Sequence, residues 1–286
     1  MIDDTIGSAV AGPVLEPAES AGPPGRRWWS ASLRGTATVF RRIVAIVVLL
    51  TAWEVLPRIG VVDRVFLPPF SEVIDEWWAL FISGDIWANT KASLTRAGAG
   101  FTLAIAIALP LGLLIGWFRQ LAELLNPLLE LFRNTAPLAL LPVFVLILGI
   151  GESSKIGIVT YGCVWPILLN TVSGVKNVEP LLIKSARSMG LSSPRLFQKV
   201  ILPAAVPTVF TGIRLAGAYA ILILIAAELV GAKAGLGYLI NYAQSNFDIP
   251  EMYAGIITIS AIGLGINYLL LTLERRFSRW RVTPEA

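Results

Sequence analysis

Three stretches of this chain, 98–118, 156–174 and 252–273, contain no Asp, Glu, Lys or Arg. No other feature leaves so few folds open. A spanning helix needs about 20 apolar residues, at roughly 1.5 Å of rise each, to cross the hydrocarbon of a bilayer, and each stretch is about that long. A fourth, 208–230, is interrupted only by Arg214 and Glu228. A fifth, 43–57, is shorter and has Trp53 and Glu54 near an interface. The sixth, 124–150, is broken by Pro127, Pro137 and Pro142 and holds Glu130 and Arg133 in its first half. It reads as one irregular span, because irregular backbone survives at membrane depth where protein or a water-filled cavity covers it. Composition agrees: 55% of residues are hydrophobic and 15% charged, against roughly 25% charged in soluble proteins. The fold expected is all-α, a polytopic membrane protein with six transmembrane helices and a cytoplasmic two-helix loop.

Lys and Arg placement orients such a chain. Arg26, Arg27, Arg34, Arg41 and Arg42 precede the first span, Lys176, Lys184, Arg187, Arg195 and Lys199 follow the fourth, and Arg275, Arg276, Arg279 and Arg281 follow the sixth. With both termini cytoplasmic, these and Arg119 all fall inside. Residues 1–25 are rich in Ala, Gly, Pro and acids and lack the basic start and apolar core of a signal peptide. A disordered cytoplasmic tail is expected over 1–40, a transmembrane domain over 41–282 with its charged loop at 175–205, and a short tail at 283–286.

That loop carries its own punctuation. Asn177 is placed to cap a first short helix, and Gly190 to end it in the left-handed region. Ser193 is placed to cap a second, with Pro194 in its first turn. Pro203 and Pro207 are expected to end that helix before the next apolar run.

Most enzymatic chemistry is excluded early. The chain has no His, so His-based acid–base, nucleophilic and metal chemistry is closed to it. Cys163 is the single cysteine and lies in an apolar run. GIGESSK (149–155) lacks the adjacent Gly-Lys-Ser/Thr of a phosphate loop and falls between two spans. No catalytic residue, metal site, nucleotide site or nucleic-acid partner is expected. Transport remains, powered either by a gradient or by another polypeptide. A secondary transporter without an ATPase is the alternative reading. Such proteins often show internal repeats and intramembrane acids, and here no convincing repeat appears and Glu130 and Glu228 lie toward the ends of their runs.

KSARSMGLSSPRLFQKVILP (184–203) resembles the cytoplasmic coupling loop of ABC importer permeases. That pattern runs Glu-Ala-Ala, three residues, Gly, nine residues, Ile-x-Leu-Pro. Here Lys184, Ser185 and Ala186, then Gly190, then Val200, Leu202 and Pro203 take those places, with Lys184 where the pattern has Glu. RNTAPLALLPVFVLILGIGESSK (133–155), TGIRLAGA (211–218), AAELVGAKAGLGYLI (226–240) and ERRFSRWR (274–281) are similar to permeases of the nitrate, sulfonate, taurine and bicarbonate group. The resemblance implies a non-enzymatic transport subunit in the bacterial cytoplasmic membrane. It further implies a homodimer with two ATPase subunits beneath and an extracytoplasmic solute-binding protein outside. ATP and Mg would then sit on the ATPase, with no cofactor in this chain. The implied ATPase contact is Lys184, Ser185, Ala186, Arg187, Ser188, Met189, Gly190 and Leu191, and the cargo a small, anionic solute moved by alternating access.

Polar residues in or near the spans are the candidate path: Asn134, Thr135, Tyr161, Trp165 and Arg214, with Asn170 nearby. Tyr161 and Trp165 read equally as helix packing, Arg214 as a residue reaching the cytoplasmic surface, and Asn134 and Thr135 as caps at the break before Pro137. Gly100, Ala104, Ala108, Gly112 and Gly116 recur every four residues as a ridge for close helix packing. Ser71 is placed to cap an interfacial helix with Val73, Ile74, Trp77, Trp78 and Phe81 on one side. The glycines of GAKAGLGY (231–238) permit a tight re-entrant turn.

Overall fold

A computed structural model describes residues 26–277. Eleven α-helices are present among them, and no strand. The chain forms two units, one ending at Trp53 and the other beginning at Glu54. The described part of the first is the helix that starts at Arg26 and, as α1, continues to Arg58. The expected tail over 1–40 therefore lies outside the described residues up to 25 and is helical from Arg26. The tail at 283–286 is also outside them.

In the second unit follow α2 (Phe70–Ser83), α3 (Asp85–Trp117), α4 (Arg119–Arg133), a 3-10 turn (Pro137–Leu140), α5 (Leu141–Leu148), α6 (Glu152–Lys176), α7 (Pro180–Ser188), α8 (Ser193–Leu196), α9 (Leu202–Glu228), α10 (Leu236–Ser245) and α11 (Ile249–Phe277). Among the described residues α3, α6, the α8–α9 rod and α11 are long and apolar enough to cross a membrane, and the α4–α5 pair, bent by 84°, makes a fifth crossing or a re-entrant loop. The expected first span, 43–57, lies in α1.

The core is α3, α6 and α9 side by side. The small-residue ridge of α3 faces α6, as its spacing predicts. Ala104 and Ala108 are fully buried, and a Cβ on Gly100 would stand 2.7 Å from Val159 Cγ1, one on Gly112 2.6 Å from Thr171 Cβ and one on Gly116 2.7 Å from Val175 Cβ. In lipid, where apolar side chains gain nothing from leaving water, such close backbone approach is what holds helices together.

Several local expectations are corrected. Ser71 does not cap α2; it lies in the first turn behind Pro69, and its N–H and hydroxyl donate to Glu54 at 2.9 and 3.0 Å. Asn177 closes α6 instead of opening α7, which starts at Pro180 after Glu179. Ser192, not Ser193, stands before α8. Pro203 and Pro207 do not end the second loop helix. A π-turn at Phe197–Ile201 joins α8 to α9, and the Leu202 N–H reaches back to Phe197 O. The wider turn shifts the hydrogen-bond register just before Pro203, where no N–H is available. The loop and the span after it are thus one rod. A helix absent from the expectation, α10, fills what reads as loop after the glycines.

Candidate functional site

At the bend between α4 and α5 the backbone leaves the helix over 134–136, because Pro137 disfavours helical geometry at the residue before it. Ala136 is extended there. The break opens a cavity of about 500 Å³ lined by Arg133, Asn134, Thr135, Ala136 and Pro137 from this segment, by Gly162, Trp165, Pro166, Leu169 and Asn170 from α6, and by Leu215 and Tyr219 from α9. Three of the five path residues expected from the sequence, Asn134, Thr135 and Trp165, meet at this one place.

The other two do not line it. Tyr161 stands behind the wall: its hydroxyl donates to Phe132 O at 2.8 Å and its ring meets Trp165 edge-on at 5.6 Å. Trp165 in turn stacks on Phe132. Arg214 is bound across α9 and α11 to Glu274 at 3.0 Å, and Thr211 donates to the same carboxylate at 3.0 Å. Arg214 thus does not line this cavity, and its partner Glu274 lies beside Arg275 and Arg276 near the end of α11. The cation at the cavity is Arg133, half-exposed and 3.1 Å from Glu130.

Donors at the cavity differ in availability. Asn134 and Asn170 each hold their amide on a carbonyl one turn back, Glu130 O at 2.7 Å and Pro166 O at 2.8 Å. Thr135 does the same with Leu131 O. Among the described residues the indole N–H of Trp165 has no partner. A buried donor left unpaired costs about 1–3 kcal/mol, so Trp165 offers a hydrogen bond that solute or water can take. Tyr219 escaped the sequence reading because it lies between alanines in an apolar run, and Arg133 because it reads as one of the charges that interrupt the 124–150 run; the helix break after Arg133 was the available signal.

At the far end of α6 from α7 lies a second polar assembly. Arg96 is 5% exposed and Glu228 1%. Arg96 donates to Glu228 at 2.6 Å, to Ala234 O at 2.6 Å, and to both oxygens of Glu152. Ser93 donates to Glu228 at 2.8 Å and accepts the N–H of Leu236, while the Gly237 N–H reaches Glu228 at 3.0 Å. One arginine and one buried carboxylate thereby fasten α3, α6, α9 and the start of α10. Gly235 has φ +120°, and a Cβ there would strike the Glu228 carboxylate. The glycines of 231–238 make a turn that is stapled, with α10 as its continuation.

The charged loop forms a ridge at the opposite end. Leu191 N–H bonds Ala186 O at 3.2 Å and Gly190 N–H bonds Arg187 O at 2.9 Å, with Gly190 at φ +78°. This is the double-bonded left-handed helix ending that glycine favours. Ala186 is the inward residue, packed with Val178, Leu196, Ile201 and Ala205. Lys184, Ser185, Arg187, Ser188, Met189 and Gly190 are exposed, and Leu191 is half-buried.

Residues 108–282 match the family described as binding-protein-dependent transport system inner membrane component. The chain is 33% identical to the putative aliphatic sulfonates transport permease protein SsuC of Bacillus subtilis (strain 168), over 83% of this chain and 86% of the relative. It is 32% identical to the taurine transport system permease protein TauC of Escherichia coli (strain K12), over 83% of this chain and 88% of the relative. Among solved structures, the inward-facing MetNI methionine ABC transporter superposes with a TM-score of 0.59 at 20% identity, over 68% of this chain and 95% of that one.

Proposed function

This chain belongs to the family of binding-protein-dependent transport system inner membrane components, the multi-pass permease subunits of ABC transporters, and we propose that it carries a small anionic solute inward by alternating access. As a permease it is a transport subunit and not an enzyme, and it works with an ATPase and a binding protein; the family sets aside the secondary-transporter alternative.

The observation that carries the solute assignment is the cavity at the α4–α5 break. It combines a guanidinium (Arg133), an unpartnered indole N–H (Trp165) and two side-chain amides at one helix interruption. An anion leaving water needs such partners, because an unpaired buried charge is expensive. The relatives named for aliphatic sulfonates and for taurine transport point to a cargo with an anionic sulfonate head. The cavity opens beside exposed apolar side chains, Leu215 and Tyr219 on α9 and Leu131 and Phe132 on α4. A second copy of the chain across this face closes the path and doubles its donors about a two-fold axis.

The same reading gives six crossings with both termini cytoplasmic, in the inner membrane. The coupling ridge, Lys184 to Leu191, meets one of two ATPase subunits. ATP and Mg act on those subunits, and this chain holds no cofactor of its own. The experiment is reconstitution of the permease with its ATPase and binding protein in liposomes, followed by uptake of a labelled alkanesulfonate and of bicarbonate against methionine as a zwitterionic control. ATP-dependent accumulation of one anion is expected. Uptake driven by an ion gradient without the ATPase would overturn the proposal.

A further inference from the structure

The coupling ridge is one-sided in charge. From Lys176 to Pro203 it carries five cations, Lys176, Lys184, Arg187, Arg195 and Lys199, and one acid, Glu179. Elsewhere in the second unit Arg58, Arg96, Arg119, Arg133 and Arg214 each have a carboxylate of this chain within 4 Å, whereas among the described residues Arg64, Lys91, Lys155 and Lys233 do not; what sets the ridge apart is five cations on one short segment. Among the described residues, none of the five ridge cations has such a carboxylate. All five are exposed.

The ridge is also apolar at its crest. Leu181 is 65% exposed, Leu182 47% and Met189 73%. Leu181, Lys184 and Arg187 follow at three-residue spacing, so they share one face of α7. The opposite face, through Ile183 and Ala186, packs on Leu196, Ile201 and Ala205. The ridge is therefore a rigid, preorganised knob: large apolar side chains at the centre, flexible cations around them. A protein contact is built this way, with apolar anchors inside a polar rim whose charges choose the partner.

We infer that the surface receiving α7 is an acidic groove on the cognate ATPase, with carboxylates facing Lys184 and Arg187, so that this permease rejects ATPase subunits whose groove is basic. The inference rests on the assignment of the ridge as the ATPase contact and adds its charge. Sequence supplies the contrast: Lys184 stands where the resembling pattern has Glu, so a groove matched to that Glu meets a like charge here. Like charges in a desolvated contact are repulsive, and that repulsion, more than the attraction, gives specificity. A rim contact of this kind also weakens as salt screens it, over a Debye length of about 8 Å at physiological ionic strength.

The test is co-purification of the detergent-solubilised permease with its cognate ATPase, at rising NaCl. Wild type is expected to lose ATPase progressively with salt. Lys184→Glu/Arg187→Glu is expected to retain at least about tenfold less ATPase at low salt, and to regain it when two groove carboxylates of the ATPase are changed to Lys. Elution of the variant as a monodisperse species shows that it is folded. Retention of ATPase by the double reversal at the wild-type salt dependence overturns the inference. So does unchanged ATPase binding together with loss of flotation on vesicles containing phosphatidylglycerol, which would make the ridge a lipid contact. Leu181→Asp separates the two levels of the argument. If it abolishes ATPase binding while the charge reversal does not, the ridge is the contact but the groove is not acidic; if neither matters, the ridge is not the contact.

Discussion

Arg214 and Arg133 show how much a partner decides about a charged residue. Both are arginines paired with a carboxylate, yet Arg214 is held between α9 and α11 by Glu274 while Arg133, paired with Glu130 on its own helix, lines the cavity. Arg133→Ala and Trp165→Phe should each lower uptake by an assembled complex severalfold, with the melting temperature little changed. Arg214→Ala should act the other way, since it strands a half-buried carboxylate. It should lower stability by roughly 1–2 kcal/mol, and Arg214→Gln/Glu274→Gln should recover most of that loss while transport per assembled complex stays near wild type. Thermal unfolding in detergent beside liposome uptake distinguishes the two patterns. Glu228 is a sharper case. Removing one partner of a buried ion pair typically costs about 3–5 kcal/mol, so Glu228→Ala should sharply reduce the yield and melting temperature of the purified permease. Arg96→Lys should rescue little, because one ammonium cannot hold Glu152, Glu228 and Ala234 O together as the guanidinium does.

Among the elements, α3 and α7 depend on glycine for different reasons. Gly112 of α3 has no room: a Cβ lies 2.6 Å from Thr171 Cβ and 3.1 Å from the Leu168 carbonyl. Gly112→Val should push α3 off α6 and prevent recovery of folded protein, as measured by size-exclusion elution after membrane extraction. Gly190 has open space and only its positive φ to protect. Gly190→Val should leave the membrane part folded, strain the turn by about 1–2 kcal/mol, and uncouple solute-stimulated ATP hydrolysis from uptake in the reconstituted complex. Normal stimulation with normal uptake would detach the turn from coupling. The rod formed by α8, the π-turn and α9 gives a physical route for that coupling. On the proposed ATPase contact, movement of the ridge would be carried into α9, which lines the cavity at Leu215 and Tyr219.

At the scale of the whole molecule, the distribution of burial says where other molecules go. In the most apolar windows of α6 and α9, 44% of residues are buried, against 6% for α11. Most of the α11 window is therefore free for lipid, while α6 and α9 are more enclosed by the chain's own helices. Topology is checked by cysteine labelling on a Cys163→Ala background. Cys163 is fully buried, and its thiol donates to Ala216 O at 3.3 Å, so it should not itself react. Ser192 and Ser245 are both exposed. Ser192→Cys should react only from the cytoplasm and Ser245→Cys only from outside; reaction from one side alone would break the six-crossing arrangement.

The sequence by itself determined everything that is periodic or composed. Three charge-free runs and a fourth broken only by Arg214 and Glu228 set four spans, four-residue recurrence set the ridge that packs α3 on α6, and Gly190 set the turn of the charged loop, because each depends on a residue's own volume, charge or backbone freedom. It also brought Asn134, Thr135 and Trp165 forward, since polar groups inside apolar runs are costly wherever they point. Tertiary structure decided which costs are met inside the chain. Arg214 meets Glu274 across 60 residues, Glu228 meets Arg96 across 132, and Tyr161 spends its hydroxyl on a carbonyl 29 residues away. It also decided that Pro203 continues a helix through a π-turn and that α10 forms at all, its N-terminus held by Ser93 and Glu228 from other helices. Those outcomes are pairings between distant segments, and a residue's own chemistry states only that it needs a partner, not which one the fold will bring.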